Sequence, residues 1–312
     1  MSEPPSREVV TFGEAMVLLL AEAGVPLTEA TAFRRTVAGS ESNVATGLAR
    51  LGHRVGWFGR VGADAFGQVV QRTLRGEGVD ISRVRIDPAA PTGLLVRDAH
   101  AERPVDVLYF RATSAGSRLS TEDIDADYIG AAQLLHLTGI TPVLSASARA
   151  ATERAVEVAR TSGVTVSFDP NIRRRLAEPE RARDVLRPLA ANADIVLAGA
   201  DEAELLTGKP DATWFLDQGA RLVVIKRGAA GSWATDGRST WQQDALPVAI
   251  ADPVGAGDAY ATGFLSGWLT GLDVPACLQR GANLSAQVVQ VVGDTEGLPY
   301  DHTTEHSGDV QR

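Results

Sequence analysis

The chain has 312 residues and a formal net charge of −9, with 44% hydrophobic and 22% charged residues. This composition is ordinary for a globular protein, and no apolar run approaches the roughly 20 residues that span a bilayer. An acidic chain without a basic stripe argues against nucleic acid as the main partner. The single cysteine, Cys277, excludes an internal disulfide framework. The first residues lack an apolar signal segment, so we expect a cytoplasmic location and no membrane partner.

The first part of the chain predicts short strands and two helices. Apolar positions Val44, Leu48 and Leu51 recur at helical spacing, and Gly52 is typical of a helix end. The elements predicted before residue 80 are strands at Val9–Phe12, Val17–Leu20 and Val55–Phe58, and helices from about Asn43 to Leu51 and from Gly67 to about Glu77.

A β-hairpin then interrupts the alternation of strands and helices. Its predicted strands are Thr92–Arg97 and Val105–Arg111, joined by the polar loop Asp98–Pro104. We expect this hairpin to belong to a separate small sheet, because the main alternation resumes after it. Side chains alternate along a strand, so Tyr109 and Arg111 should share one face.

From residue 134 onward the order is strand–helix alternation. The predicted elements are strands at Leu134–Leu137, Thr165–Phe168, Ile195–Leu197 and Leu222–Ile225, and helices at Ala146–Arg160, from about Glu180, from Asp201, at Ala259–Thr270 and from Val274 to about Gln290. Repeated units of this kind predict an α/β fold with a mostly parallel sheet and helices on both faces. Ligands bind such sheets at the carboxyl ends of the strands. The residues just after predicted strand ends, or in the loop before the next helix, are Asp169, Asp201, Lys226 and Asp258.

The segment Asp252–Asp258 is the clearest candidate for a site. Gly255 and Gly257 allow a tight turn and close approach of a ligand, and the helix that follows presents its N-terminus to the same space. Such a loop binds anions, and Asp258 beside it fits a general base that takes a proton from an attacking hydroxyl. The alternative is that the two glycines serve only close packing of the helix, which the loop alone leaves open.

Other nucleotide and hydrolase motifs are absent. Gly208-Lys209 continues with Pro210 and has no glycine at the spacing of a Walker A loop. The dinucleotide-binding fingerprint fails because residue 260 is tyrosine, and no Gly-x-Ser-x-Gly elbow is present. A phosphoryl-transfer site is the interpretation that remains.

Four segments together resemble the ribokinase-like (PfkB) carbohydrate kinases. They are Ala38–Ala45, Gly62–Gly67, Val224–Gly231 and Asp252–Leu265, in the order typical of that family. The resemblance implies one kinase domain over residues 9–300, with an α/β core and a small β lid built from about 14–38 and 92–112. Residues 1–8 and 301–312 are expected to be flexible. It also implies transfer of the γ-phosphate of ATP to a sugar hydroxyl.

The same resemblance assigns roles to individual residues. Asp258 would be the base, and Gly255, Ala256 and Gly257 would stabilise the phosphoryl charge. The nucleotide would lie against Lys226, Gly228, Gly231, Gly255, Gly257 and Asn283. Mg²⁺ would bridge the phosphates and be held through water by Glu204, with Asp201 at the family's Asn position; a monovalent cation is a further expectation left open. Asp201 and Glu204 could equally serve only to stabilise a helix N-terminus.

Several stretches are similar to 2-keto-3-deoxygluconate kinases within that family, among them Leu108–Arg111, Asp169–Arg173 and Gly293–Pro299. By that similarity the sugar would contact Gly39, Asn43, Tyr109, Arg111, Arg173, Asp258 and Asp294. Arginines directed into the cleft of an acidic protein favour an anionic substrate, since Arg recognises carboxylates well. The alternative for the run Arg173–Arg175 is a solvated helix start.

This sequence departs from the pattern of such kinases at two places, and other functions remain as alternatives. Leu94 or Leu95 occupies a lid position that is often aromatic in such kinases, and Ala177 replaces a common tryptophan. A fructokinase, or another kinase for a neutral sugar or a nucleoside, is the second hypothesis. A non-catalytic sugar or nucleotide sensor and an oxidoreductase are more distant ones, and a homo-oligomer formed through the lid is a further expectation.

Overall fold

A computed structural model describes residues 7–100 and 105–300 of the chain. The sequence predicts flexible termini at residues 1–8 and 301–312, and of these residues 1–6 and 301–312 lie outside the described residues. The same holds for most of the predicted hairpin loop, at residues 101–104.

The strands are β1 Val9–Phe12, β2 Met16–Ala21, β3 Phe33–Ala38, β4 Val55–Phe58, β5 Arg60–Gly62, β6 Arg85–Asp87, β7 Leu94–Arg97, β8 Val107–Phe110, β9 Leu134–Thr138, β10 Thr165–Asp169, β11 Ile195–Gly199, β12 Leu222–Lys226, β13 Ser232–Thr235 and β14 Thr240–Gln243. The helices are α1 Ser40–Arg50, α2 Ala65–Gly76, α3 Ala126–Gly130, α4 Ile140–Leu144, α5 Ala146–Thr161, α6 Pro179–Ala190, α7 Ala200–Thr207, α8 Thr213–Asp217, α9 Ala256–Leu269 and α10 Val274–Val288.

The central sheet has the strand order β14-β13-β12-β11-β10-β9-β1-β4. Strands β12, β11, β10, β9, β1 and β4 run parallel, and β13 and β14 are antiparallel additions at one edge. The predicted α/β class with a mostly parallel sheet is therefore confirmed. The edge hairpin was not predicted, because Thr240–Gln243 is polar and half of it is exposed.

Both faces of this sheet are buried, which explains why its strands are nearly continuous apolar runs. Along β1, Val9 belongs to one hydrophobic core and Val10 to the other. Side chains from α1, α2, α9 and α10 complete the core on the side of Val9. Those from α5, α6, α7 and α8 complete the core on the side of Val10.

Helix α9 is fixed closely against α10. A Cβ atom at Gly263 would lie 2.5 Å from the carbonyl oxygen of Arg280, so only glycine permits this approach. Phe264 and Leu265 are fully buried in the core beneath. The packing holds the N-terminus of α9, which begins at Ala256, at the carboxyl edge of the central sheet.

A separate four-stranded sheet, called the small sheet below, has the order β3-β2-β7-β8. Strands β2 and β7 pair in parallel, whereas β2–β3 and β7–β8 are antiparallel. The predicted hairpin therefore forms in its own sheet, as expected. Strand β3 was not predicted individually, because half of its residues are exposed and its central residues Arg34–Thr36 are polar. The inner face of the small sheet packs Leu18 and Leu95 together with Tyr109.

Candidate active site

A cleft of about 1050 Å³ lies between the small sheet and the carboxyl ends of the central strands. That volume is typical of sites for small molecules. Most of the residues that the sequence predicts for a site line it, and these are Gly39, Asn43, Tyr109, Arg111, Arg173, Lys226, Gly228, Gly231, Gly255, Ala256, Gly257, Asp258 and Asp294.

The carboxylate of Asp258 lies in the first turn of α9 and is 8% exposed. One oxygen accepts hydrogen bonds from Ser40 Oγ at 2.6 Å and from Asn171 Nδ2 at 3.2 Å, and the other accepts one from Asn43 Nδ2 at 2.8 Å. Burial raises the pKa of Asp258, although the bonds from Ser40 and Asn43 and the charge of Arg173 act against the rise. The carboxylate is thus held in one orientation with an increased affinity for a proton.

Two of these donors were not recognised from the sequence as site residues. Ser40 is the first residue of α1, and Asn171 lies in the left-handed region with φ of 41°. Asparagine tolerates that conformation better than most residues, and here it turns the amide toward Ser40 Oγ, 2.6 Å away, and Asp258. The run Asp169-Pro-Asn171 after a strand was the available signal.

The loop before Asp258, which the sequence predicts to be an anion site, turns tightly at Gly255 and lines the cleft. Gly255 has φ of 86° and caps α9, and its Cβ position would lie 2.5 Å from the carbonyl oxygen of Asp294. Gly257 faces open space, because the nearest atom to its Cβ position is Lys226 Nζ at 3.9 Å. The first N–H groups of a helix lack intrahelical acceptors, so those of α9 are available to an anion here.

Lys226 is held at the floor of the cleft by an ion pair. Its Nζ lies 2.6 Å from Asp169 Oδ2. Burial lowers the pKa of Lys226, but the charges of Asp169 and Glu202 outweigh burial and leave it raised. The ammonium group therefore stays protonated beside the open face of Gly257.

Two predicted residues do not reach the cleft. Asn283 is exposed on α10, and the residues of that helix that line the cleft are Ala282, Ser285 and Ala286. Glu204 is also exposed and does not line it.

Of the two glutamates of helix α7, the half-buried Glu202 lines the cleft and the exposed Glu204 does not. The carboxylate of Glu202 accepts the backbone N–H groups of Gly199 and Ile172, each at 2.7 Å. The placement of Glu204 at a metal is corrected by this geometry. Helix α7 begins at Ala200, and only its first turn, which contains Asp201 and Glu202, faces the cleft.

The small sheet contributes Tyr109 and Arg111 to the cleft, on the face opposite the exposed Phe110. Arg111 is buried and forms an ion pair with Glu14, whose carboxylate also accepts a hydrogen bond from Ser114. Its charge is therefore compensated within the protein. Glu14 follows strand β1, and no local pattern indicates that it pairs with an arginine about a hundred residues later.

Arg173 differs from Arg111 in this respect. It is exposed and lines the cleft, and within the described ranges it takes part in no ion pair. Its positive charge lowers the pKa of Asp258, which is evidence that it lies near that carboxylate. Arg173 is thus a cation of the cleft that forms no ion pair among the described residues.

Glu41 is a second buried acid near the site that the sequence analysis did not identify. One of its oxygens accepts hydrogen bonds from Thr138 Oγ1 and Thr141 Oγ1, both at 2.7 Å. Burial raises the pKa of Glu41 to about 7, with the two threonines opposing the rise and the charge of Asp258 adding to it.

Among the described residues, neither a metal-binding cluster nor a membrane-spanning helix is found. Over residues 7–100 and 105–300, no cluster of three or more His, Cys, Asp or Glu side chains is arranged to hold a metal ion. In the same ranges, no helix has the length and apolar character needed to cross a membrane.

The chain is similar to known carbohydrate kinases in sequence and in fold. Residues 6–301 match the model described as pfkB family carbohydrate kinase. The chain is 42% identical to the 2-dehydro-3-deoxygluconokinase of Bacillus subtilis (strain 168), covering 94% of this chain and 92% of the relative. It is 36% identical to the enzyme of that name from Thermoproteus tenax, covering 95% and 93%. A solved E. coli structure, described as a ribokinase II in complex with ATP and Mg²⁺, aligns with a TM-score of 0.86 and 26% identity over 94% of this chain and 96% of that one.

The raised pKa of Glu41 predicts a pH-dependent stability. Its ordinary value is 4.5 and its folded value about 7, so this contribution is fully present below 4.5 and is lost as the pH rises through 7. The contribution of Glu41 to the free energy of unfolding that is lost in this way is at most roughly 3 kcal/mol. Glu41→Gln should therefore raise the thermal midpoint above neutral pH and weaken its decline with pH. Thermal unfolding of both proteins across this range is the measurement, and superimposable pH profiles would contradict the assignment.

The open face of Gly257 predicts a substitution that affects the ligand and spares the fold. In Gly257→Ala the added methyl group meets nothing closer than Lys226 Nζ at 3.9 Å, but it occupies the space beside the helix N-terminus. We expect an unchanged thermal midpoint and weaker binding of ATP by calorimetry. Gly255→Ala is the contrasting variant. An alanine there would be strained by the φ of 86° and by the carbonyl oxygen of Asp294, so this variant should lower the thermal midpoint. Unaltered ATP affinity in Gly257→Ala would exclude this loop as the anion site.

Proposed function

Because this chain belongs to the PfkB family of carbohydrate kinases, we propose that it transfers the γ-phosphate of ATP to a hydroxyl of 2-keto-3-deoxygluconate. This sugar acid is the 2-dehydro-3-deoxygluconate in the names of the two relatives above. Catalysis of phosphate transfer to a sugar is the property of the family; the choice of sugar and the roles of individual residues are the proposal.

The observation that carries the proposal is the position of Asp258. Its oriented carboxylate, with a raised pKa, adjoins the N-terminus of α9 and the open face of Gly257. Asp258 accepts the proton of the sugar hydroxyl as the oxygen attacks the γ-phosphorus. The bond from that phosphorus to the β–γ bridging oxygen breaks, and ADP leaves with the electron pair. The N–H groups from Gly255 to Gly257 stabilise the charge on the transferred group.

The nucleotide fits the end of the cleft formed by β12 and α10. Gly228 and Gly231 line this end after strand β12. Ala282 and Ala286 line it from helix α10 and are apolar. Further apolar residues there are Leu246, Val248, Ile250 and Val289. We assign the adenine to this apolar end, with Asn283 outside it. The phosphates then extend toward Lys226 and the start of α9.

Mg²⁺ neutralises and bridges the phosphates of ATP in kinases of this kind. Asp201 and Glu202 at the cleft wall supply carboxylate oxygens, which are the ligands Mg²⁺ prefers, and can hold the ion through its water molecules. Glu202 takes the role that the sequence assigned to Glu204. A dependence on a monovalent cation is tested by running the assays below with and without potassium at constant ionic strength.

An acidic sugar is favoured by Arg173, which lines the cleft and forms no ion pair among the described residues. The substrate carboxylate can pair with this guanidinium, whereas Arg111 already pairs with Glu14. Tyr109 and Asp294 flank the same space from the small sheet and from the segment after α10. A neutral sugar would offer no carboxylate to this guanidinium.

The proposal also covers the location and the assembly of the protein. The composition and single cysteine favour the cytoplasm. The outer face of the small sheet exposes Phe33, Leu108 and Phe110, which suits a contact between two copies through this sheet. Sedimentation velocity on the purified protein tests the second point, and a monomer at all concentrations would exclude it.

Replacing the base tests the mechanism. Asp258→Asn keeps an oxygen for Ser40 but cannot accept a proton, so kcat should fall by at least about 10²-fold, the usual contribution of a general base. ATP binding should remain close to that of the unaltered protein. Steady-state kinetics and ATP titration separate the two effects, and a kcat reduced only slightly would remove Asp258 from this role.

The identity of the sugar is tested by a substrate panel and one arginine. ADP release is measured with 2-keto-3-deoxygluconate, its galactose epimer, gluconate, fructose, ribose and adenosine. Arg173→Gln should raise KM for the acid sugar by about 10-fold or more, as expected for loss of a charged hydrogen bond, with KM for ATP little changed.

The matched control is Arg174→Gln, the next residue along, which is exposed and does not line the cleft. It should leave both KM values unchanged. Turnover of neutral sugars alone would favour the second hypothesis, a fructokinase or nucleoside kinase. Equal effects of the two arginine substitutions would mean that Arg173–Arg175 is only a solvated charge run, in the segment before helix α6.

A further inference from the structure

The geometry points to Arg97 of the small sheet as a positioning residue for the phosphate-binding loop, acting through Asp252 and Asp294. This inference rests on the proposed role of Gly255–Asp258 in catalysis. It adds a residue that neither the motifs nor the mechanism above requires.

The side chain of Arg97 is 1% exposed although it ends strand β7 at the edge of the cleft. Its Nη1 atom lies 2.8 Å from Asp252 Oδ2, and its Nη2 atom donates to Asp294 Oδ1 at 2.8 Å. Nη1 also donates to the carbonyl oxygen of Asp98 at 3.0 Å. One guanidinium group therefore joins the small sheet to two separate segments of the α/β core.

Both aspartates contact the loop that precedes α9 or belong to it. Asp252 Oδ1 accepts the backbone N–H of Val254 at 3.1 Å, and Oδ2 accepts that of Gly293 at 3.1 Å. The backbone of Asp294 packs on Gly255 so closely that a Cβ atom there would lie 2.5 Å from its carbonyl oxygen. Arg97 thus holds the two segments between which Gly255 makes its left-handed turn.

The turn at Gly255 sets where the first N–H groups of α9 and the carboxylate of Asp258 lie. A guanidinium group is planar, and its donors match two carboxylates at fixed angles, unlike an ammonium group. The bridge therefore specifies a geometry, and it also compensates charge. It makes the placement of the small sheet over the sugar and the placement of the phosphate-binding loop depend on the same side chain.

The charge of this cluster guides the choice of variants. Arg97, Asp252 and Asp294 together carry a net charge of −1 when both acids are ionised, from one cation and two anions. Arg97→Ala changes the net charge to −2, and the buried acids then oppose folding. The double variant Arg97→Met with Asp252→Asn keeps the net charge at −1 and removes the bridge.

The experiment measures kcat, both KM values and the thermal midpoint with ATP and whichever sugar the panel identifies. Arg97→Ala should lose about 10- to 100-fold in kcat, since a misplacement of about 1 Å can cost about 10²-fold, with much smaller changes in KM. Guanidinium chloride at a non-denaturing concentration should restore part of this loss. Ammonium chloride at the same concentration should not, because it supplies charge without the planar donors.

Two further variants separate positioning from simple stabilisation. Arg97→Lys should fold with a midpoint close to the unaltered protein and still show a reduced kcat. If Arg97→Ala does not fold, the charge-balanced double variant replaces it, and its kcat should be low as well. Full activity in Arg97→Lys or in the double variant, or equal rescue by ammonium, would overturn the proposal.

The matched control is Arg34→Met. Arg34 lies on strand β3 of the same small sheet and reaches the same end of the core, donating to the carbonyl oxygen of Val292 at 2.6 Å and lying 3.4 Å from Glu296. Its side chain is 51% exposed, so its loss should leave kcat unchanged. An inactive Asp258→Asn with active Arg97 variants would reject this inference alone, whereas an active Asp258→Asn would reject the proposed mechanism.

Discussion

The site depends on one buried carboxylate that is held by donors from separate parts of the chain. Asp258 comes from α9, Ser40 and Asn43 from α1, and Asn171 from the segment after β10. A buried charge is tolerated only where hydrogen bonds compensate its lost hydration. These elements must therefore meet at one point for the fold to be stable, and the same meeting orients the carboxylate that we propose as the base. Stability and chemistry impose the same geometry here.

The parallel sheet explains why so many functional side chains converge. Its strands β1, β9, β10, β11 and β12 all end at one edge, where Glu14, Thr138, Asp169, Gly199 and Lys226 lie at or next to their last residues. Opposite charges at this edge then pair with each other, as Lys226 does with Asp169. Arg173, which is exposed, lines the cleft and forms no ion pair among the described residues, is left available to a ligand.

The sequence was sufficient to predict the α/β class, the small sheet and the glycine turn before helix α9, because these follow from local periodicity and from compact motifs. It failed where the partner of a residue is distant. Nothing near Arg97 or Arg111 indicates that Asp252 and Asp294, or Glu14, would meet them. It also failed by two residues on α7, where rotation of the helix decides between Glu202 and Glu204 and no local pattern fixes that rotation. Asn283 is a similar case on α10.

The parallel pairing of β2 with β7 bears on how the protein folds. These strands are separated along the chain by β3, α1, β4, β5, α2 and β6. Closing so long a loop costs entropy that is recovered only when the intervening segments have already formed contacts. We therefore expect the small sheet to assemble after the core beneath it, which makes the cleft one of the last parts of the molecule to appear during folding. A nascent chain would complete its hydrophobic layers before it could bind either substrate.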